Sequence, residues 1–398
     1  MAAASRNSGE YREFFRATTT PFNEPQSYFG ATVREPSGTT DIISNRVEEN
    51  PGVHQPGTPG YLADANSNTY ENPKGLDQYR AGLDHYKNLN ALTSALDLAD
   101  TGYTPGTKLS TELYRQGAFL SEVLTDPGQT RALPTDPSSI NNTISNVVDV
   151  ASRNTDATTV ILTGDGTPEQ LGSGYHRDSA VVALLEHDWP GGVENSPMHK
   201  MLDYISTDAH SDNLEDATRA GKSARALADV ISSTKSPGGV GNFDSLFKDN
   251  SPSMRYVAQA LSPYVGNMVD VPENLLGTHG FGNLDPVEST RVFTLMDNDQ
   301  KSAAILNGAA IAQAYEFDQE FARGEGGQDL ALYSGRLHGL IEGGIAANTG
   351  LHGYDATSAA THSKEVLGAG YMSAKEFFNA GVGAVTDALP GKSSSCRP

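Results

Sequence analysis

Residues 159–166 read TVILTGDG, residues 176–192 read HRDSAVVALLEHDWPGG, and residues 196–212 read SPMHKMLDYISTDAHSD. The third stretch decides the fold class. Met198, Met201, Leu202, Ile205 and Ala209 fall at i, i+3, i+4, i+7 and i+11, which is the spacing of one helix face and not the alternation of a strand. Ser196-Pro197 marks the start, a capping hydroxyl followed by a proline whose missing N–H would be an orphan in the first turn anyway. The polar run His210-Ser211-Asp212-Asn213 then leads into a slimmer stripe at Ala217, Ala220, Ala224, Leu227, Ala228 and Ile231. The two stripes predict a helical hairpin.

Working outward, the same period recurs. Leu109, Leu113 and Leu120 form one stripe, and Ile140, Ile144, Val147 and Ala151 the next. Ser251-Pro252 launches Met254, Val257, Leu261, Tyr264, Val265 and Met268. Asp285-Pro286-Val287-Glu288 combines a cap, a first-turn proline and an acid three residues after the cap, so a helix should run through Val292, Leu295 and Met296. The longest helix is expected over residues 301–321, with Leu306, Ala310, Ala314, Phe317 and Phe321 aligned. After a glycine break come Leu330, Tyr333, Leu337, Leu340 and Ile341. Beyond Gly343 glycine becomes frequent, and Phe378, Val382, Val385 and Leu389 give a weaker stripe. Residues 158–162 look strand-like, but one strand builds no sheet. The expected fold is mainly α, an array of helical hairpins, bundle- or solenoid-like, with a loop-rich N-terminal segment.

That segment, residues 1–75, carries NEPQ, REPSG, ENPG and QPGTPG turn signals and reads as extended or disordered; the alternative is an ordered wrap over the helical body with Tyr28, Phe29 and Tyr61 as anchors. The expected division continues with a helical unit over 76–231, a second over 251–342, and a glycine-rich segment over 343–398 with a weak helix and a flexible tail. A length of 398 residues suits two packed units or one helical array.

Forty-nine acidic against 28 basic residues give a formal charge of −21, which repels phosphate backbones and argues against nucleic acid as a partner. No run approaches the roughly 18 to 20 apolar residues that cross a bilayer, so membrane insertion is not expected. The start, MAAASRNSGEYREFF, lacks the apolar core of a secretory signal. The chain is thus expected to be soluble, and cytoplasmic or exported by a signal-peptide-independent route. The single Cys396 can form no intrachain disulfide.

Chemistry is sparse. His176, Asp178, Glu186, His187, Asp188, His199, Asp203, Asp208, His210 and Asp212 crowd into one stretch, and imidazoles with carboxylates bind zinc or manganese and can activate a water. A metal-dependent hydrolase using His187, His199, Asp203 and His210 is therefore the enzymatic alternative, although only His199 and Asp203 keep the i, i+4 spacing and no HExxH is present. Histidine and acids at helix ends serve more simply as caps and dipole partners, and no metal or cofactor is favoured. The two GKS triplets, at 221–223 and 391–393, lack the earlier glycine of a P-loop. Gly164-Asp165-Gly166 with Gly172 and Gly174 fits turns rather than GxGxxG. No GxSxG occurs, and Asp297-Asn298-Asp299 lacks the glycine and the acid of a calcium loop. Trp189-Pro190-Gly191 invites a WxG reading, and Tyr204 with Asp208 matches the YxxxD pattern that resembles a type VII export signal. The tyrosine lies inside its helix rather than after it, and Trp189 reads equally as a plug at the end of its helix.

Taken in order, LTGDG, LLEHDWPGG, MLDYISTDAHSD, ADVI, SPSMRYVAQALSPYVGNMVD, FTLMDNDQKSAAILNGAA and GRLHGLIEGG resemble the actinobacterial helical "TPR repeat region" family over roughly residues 92–342. The resemblance implies a helical region that often lies between an export-type module and a toxin or effector domain, and it carries over no catalytic residue. The chain departs from that pattern in its first 75 residues and in ending at Pro398, and the 34-residue consensus of true tetratricopeptide repeats is not visible. The expected function is a non-enzymatic helical scaffold that binds a protein partner, linked by the resemblance to export or delivery of an effector. A structural or virion-associated protein is the further alternative.

Overall fold

The structure is a computed structural model that describes residues 88–96, 104–125, 137–167, 171, 175–189, 196–233, 251–324 and 327–379. The segment 1–75, its aromatic anchors, Gly172, Gly174, Gly191, the second GKS triplet, Cys396 and the stripe from Val382 to Leu389 lie outside the described residues. Among the described residues every regular element is a helix. They form two compact units, one ending at Met201 and the other beginning at Leu202.

In the first unit, α1 (residues 88–96) buries Leu89, Leu92 and Leu96. α2 (Thr107–Thr125) is the central element, packed by α3 (Pro137–Ser152), α4 (Thr155–Thr163) and α5 (Arg177–Glu186). α3 presents Ile140, Ile144, Val147 and Ala151 to the core, as the stripe requires. α2 goes further than its leucine stripe suggests. Leu113, Tyr114, Ala118 and Phe119 are fully buried, and Glu112, Arg115 and Gln116 are buried beside them. The buried carboxylate is held by two donors, Arg115 Nη1 at 2.8 Å and Gln116 Nε2 at 2.7 Å, so neither charge is left isolated.

The strand-like run 158–162 is helical, and this expectation is corrected: it is the body of α4. Asn154 caps the helix by accepting from Ala157 N–H, and Gly164, at φ 74°, closes it with an N–H to the Val160 carbonyl. Thr158, Thr159 and Thr163 turn their hydroxyls back onto carbonyls four residues earlier, so these side-chain donors are satisfied within the helix. Ile161 and Leu162 are buried, and the Tyr114 hydroxyl meets Thr158 Oγ1 at 2.7 Å.

α6 (Pro197–Thr207) spans the boundary in sequence, and α7 (Leu214–Ser232) follows, capped by Asn213. Both predicted stripes are buried. In the second unit the Tyr204 hydroxyl donates to Ser223 Oγ at 2.6 Å across the turn, while α7 packs on α8 (Ser251–Leu261) and α10 (Pro286–Met296). The stripe through Met268 does not continue as one α-helix. α8 ends at Leu261 and short 3-10 turns follow over Ser262–Tyr264 and Asn267–Val269, because Pro263 has no N–H to donate. A single-turn helix, α9 (Glu273–Leu276), precedes α10.

α10 begins with the expected capping box: Val287 N–H donates to Asp285, and Glu288 reaches back to the Asp285 N–H. α11 (Gln300–Arg323) is the hub of the unit, contacted by α8, α10, α12 (Gln328–Leu351) and α13 (Ala356–Asn379). Its expected face holds through Phe317, but Phe321 is exposed because the stripe outruns the helices that cover it. The glycines after 342 do not end the helix: α12 runs on to Leu351. A Cβ on Gly344 would lie 2.6 Å from Phe293 Cβ, and one on Gly308 of α11 would lie 2.8 Å from Ser373 Cβ of α13. These glycines permit close helix crossings rather than breaks.

Candidate functional site

Among the described residues no group of three or more His, Cys, Asp or Glu side chains is placed to hold a metal ion. His176 occupies the cap position of α5 and is exposed, and Asp178 is bonded by Arg177 Nε at 2.7 Å. His187 is 3% exposed at the end of α5, its ring edge-on to Trp189 with centroids 4.6 Å apart. Burial lowers its pKa to about 4, against the nearby Asp188 charge, so the imidazole is neutral near pH 7. His199 is half-buried, Asp203 is exposed, and His210 Nδ1 lies 3.2 Å from the Gly277 carbonyl. Asp208 has its pKa raised by burial and by Asp216. Glu186, Asp188 and Asp212 are exposed side chains.

Trp189 is buried and donates from Nε1 to the Leu184 carbonyl at 3.0 Å, seating it against the helix it follows. Tyr204, of the YxxxD pair, is buried with its hydroxyl on Ser223. Gly221 and Ser223 of the first GKS triplet are buried within α7.

The Asp297-Asn298-Asp299 turn joins α10 to α11, and each side chain has a structural partner. Asp299 caps α11 through Ser302 N–H at 2.9 Å and pairs with Arg255 at 3.2 Å. Burial opposes its ionisation, but the Arg255 and Ser302 bonds outweigh it and lower its pKa. Asn298 accepts from Asn348 Nδ2 at 2.6 Å, and His352 Nε2 lies 2.8 Å from the same oxygen. Asp297 is 1% exposed and accepts from Asn307 Nδ2 at 2.9 Å, yet no donor reaches its Oδ2. Burial raises this carboxyl to about 7, beyond what the Asn307 bond can offset.

The open surface of interest lies between α10 and α12. A Cβ on Gly343 would lie 3.8 Å from Thr290, Phe293 meets Gly344, and Asn348 Nδ2 donates to the Thr294 carbonyl, so the two helices run in the same direction. Along their outer side is a cleft of about 660 Å³, with Val287, Thr290 and Arg291 on one wall and Ala347, Gly350 and Leu351 on the other. A second cleft of about 340 Å³ shares Pro286 and Thr290 with the first and reaches Asp270, Arg336, Gly339 and Leu340. Val287 and Leu351 are 56% and 51% exposed. Sequence reasoning did not mark these residues as a surface: Pro286 and Val287 were read as a helix start and Leu340 as a core position. The available signal was the series Gly339, Gly343, Ala347 and Gly350, spaced i, i+4, i+8 and i+11 on one helix face.

A family model described as a TPR repeat domain matches residues 36–202. A TPR-like repeat domain thus covers that span, which holds α1 to α5 and the start of α6; residues 203–342, over which the resemblance also extends, are not matched. Neither the curated proteins nor the solved structures give a match. Among the described residues no helix is long and apolar enough to cross a membrane.

Proposed function

We propose that the chain is a non-enzymatic helical scaffold that binds a protein partner. The observation that carries this reading is the TPR-like domain over residues 36–202, in which helices pack about the buried α2. Helical repeats of this kind act by presenting extended surfaces to other proteins. Isolation of the tagged full chain from its native cell after mild crosslinking should recover a stoichiometric protein partner, and the absence of any partner would sink the scaffold reading. A link to export or effector delivery rests on the family resemblance of residues 92–342. It predicts that the tagged chain reaches the medium only in cells with an intact type VII export machinery, and retention inside the cell in both backgrounds would remove it.

A further inference from the structure

We propose that the cleft between α10 and α12 docks an acidic amphipathic helix of a partner protein. The inference rests on the scaffold reading and places a second interaction surface outside the span matched by the TPR model. Three observations carry it.

The walls are apolar and face water. Val287 and Leu351 each leave more than half of a large hydrophobic side chain exposed at the rim, and exposed apolar patches of this kind mark docking surfaces. The α12 wall is also shallow. Gly339 and Gly350 line the clefts with nothing within 4 Å of where a Cβ would stand, so a partner backbone can approach closely. The eleven residues of α10 run about 16 Å, which matches a partner helix of about three turns laid alongside.

The charge of the walls is unlike that of the chain. Across the two clefts the charged lining residues are Arg291, Arg336 and Asp270, in a protein of net charge −21. Arg291 donates one N–H to the Ser232 carbonyl at 3.3 Å and pairs with no carboxylate among the described residues. Arg336 bonds the Val269 carbonyl at 3.1 Å, and Asp270 is 3.8 Å away, a loose surface pair. Each guanidinium therefore keeps donors for a partner's carboxylate, one at each cleft. A helix with an apolar stripe flanked by Asp or Glu satisfies both the walls and the arginines; a basic helix would place like charges against them.

The test places benzoylphenylalanine at Val287 in the full chain, crosslinks in the native cell and identifies the captured segment by mass spectrometry. The same residue at Tyr315, exposed on α11, is the control. The expected capture at 287 is a segment of another protein with net negative charge and an i, i+3/i+4 apolar stripe. Capture should fall at least tenfold in R291E/R336E, and acid-to-lysine changes in the captured segment should restore it. Circular dichroism confirms that the double variant is folded, and R291Q/R336Q should give an intermediate loss. Capture of a basic or extended segment, of a second copy or of this chain's own residues would overturn the proposal, as would capture undiminished by charge reversal. Crosslinks from 315 with none from 287 refute the cleft and leave the scaffold standing; silence at both positions, with no partner recovered on isolation, removes both.

Discussion

Asp297 offers the sharpest test of the interior. Its carboxyl is buried at the end of α10 with one hydrogen bond from Asn307, and burial raises its pKa to about 7 from an ordinary 3.8. Between those values the native chain holds a proton that the unfolded chain has released. Stability therefore falls as pH rises through that window, and levels off above it. At about 1.4 kcal/mol per pH unit over roughly three units, the effect is about 4 kcal/mol. Asp297→Asn keeps the shape and the acceptor for Asn307 but carries no charge at any pH. Urea unfolding followed by circular dichroism from pH 4 to pH 8 should show the variant gaining on the native chain by about 4 kcal/mol, with unchanged denaturant slope. Hydrogen exchange at the α10 and α11 amides assigns the transition to the second unit. Curves that stay parallel within about 1 kcal/mol would mean that the carboxylate is solvated or paired, and the burial argument would fail.

Three other outcomes follow from particular residues. A Cβ on Gly221 would lie 1.9 Å from the His279 carbonyl oxygen, so Gly221→Ala should destabilise the second unit by about 2 kcal/mol or more, while Gly339→Ala, which meets nothing within 4 Å, should be neutral or gain about 0.5 kcal/mol of helix propensity; thermal melts separate the two. The His187 imidazole, neutral down to about pH 4, contributes stability that is present above pH 6.5 and lost as pH falls towards 4. The fluorescence of Trp189, the only tryptophan, should accordingly titrate near 4, and a midpoint near 6.5 would show an open ring. Asn154→Ala removes both the α4 cap and the 2.7 Å bond to the Pro105 carbonyl, and should cost about 1 to 2 kcal/mol in urea unfolding of the first unit; no change would undercut the account of why residues 158–162 are helical.

The α class, the start of α10 and the buried faces of α3, α6 and α7 were legible in the sequence because each follows from local chemistry: a 3.6-residue apolar period, a capping side chain, a proline where an N–H is not needed. The run at 158–162 was misread because β-branched residues favour strands, while its caps, Asn154 and Gly164, were present but outweighed by composition. The glycines of α12 were misread for a related reason. Glycine lowers helix propensity by about 1 kcal/mol, but at Gly344 a neighbouring helix fills the space that a side chain would have taken. Residues 176–212 showed many potential ligands, yet ligation needs convergence to within a few ångströms, and helical periodicity fixes only which face a residue occupies, not which helix it will meet. The sequence by itself determined the helices and their inward faces, because these depend on neighbours within a few positions along the chain. Only the tertiary structure decided that His187 is buried beside Trp189, that burial raises the Asp297 carboxyl, and that α10 and α12 leave an apolar cleft with Arg291 and Arg336 on it, because burial, desolvation and cleft shape depend on how whole helices pack and not on local spacing.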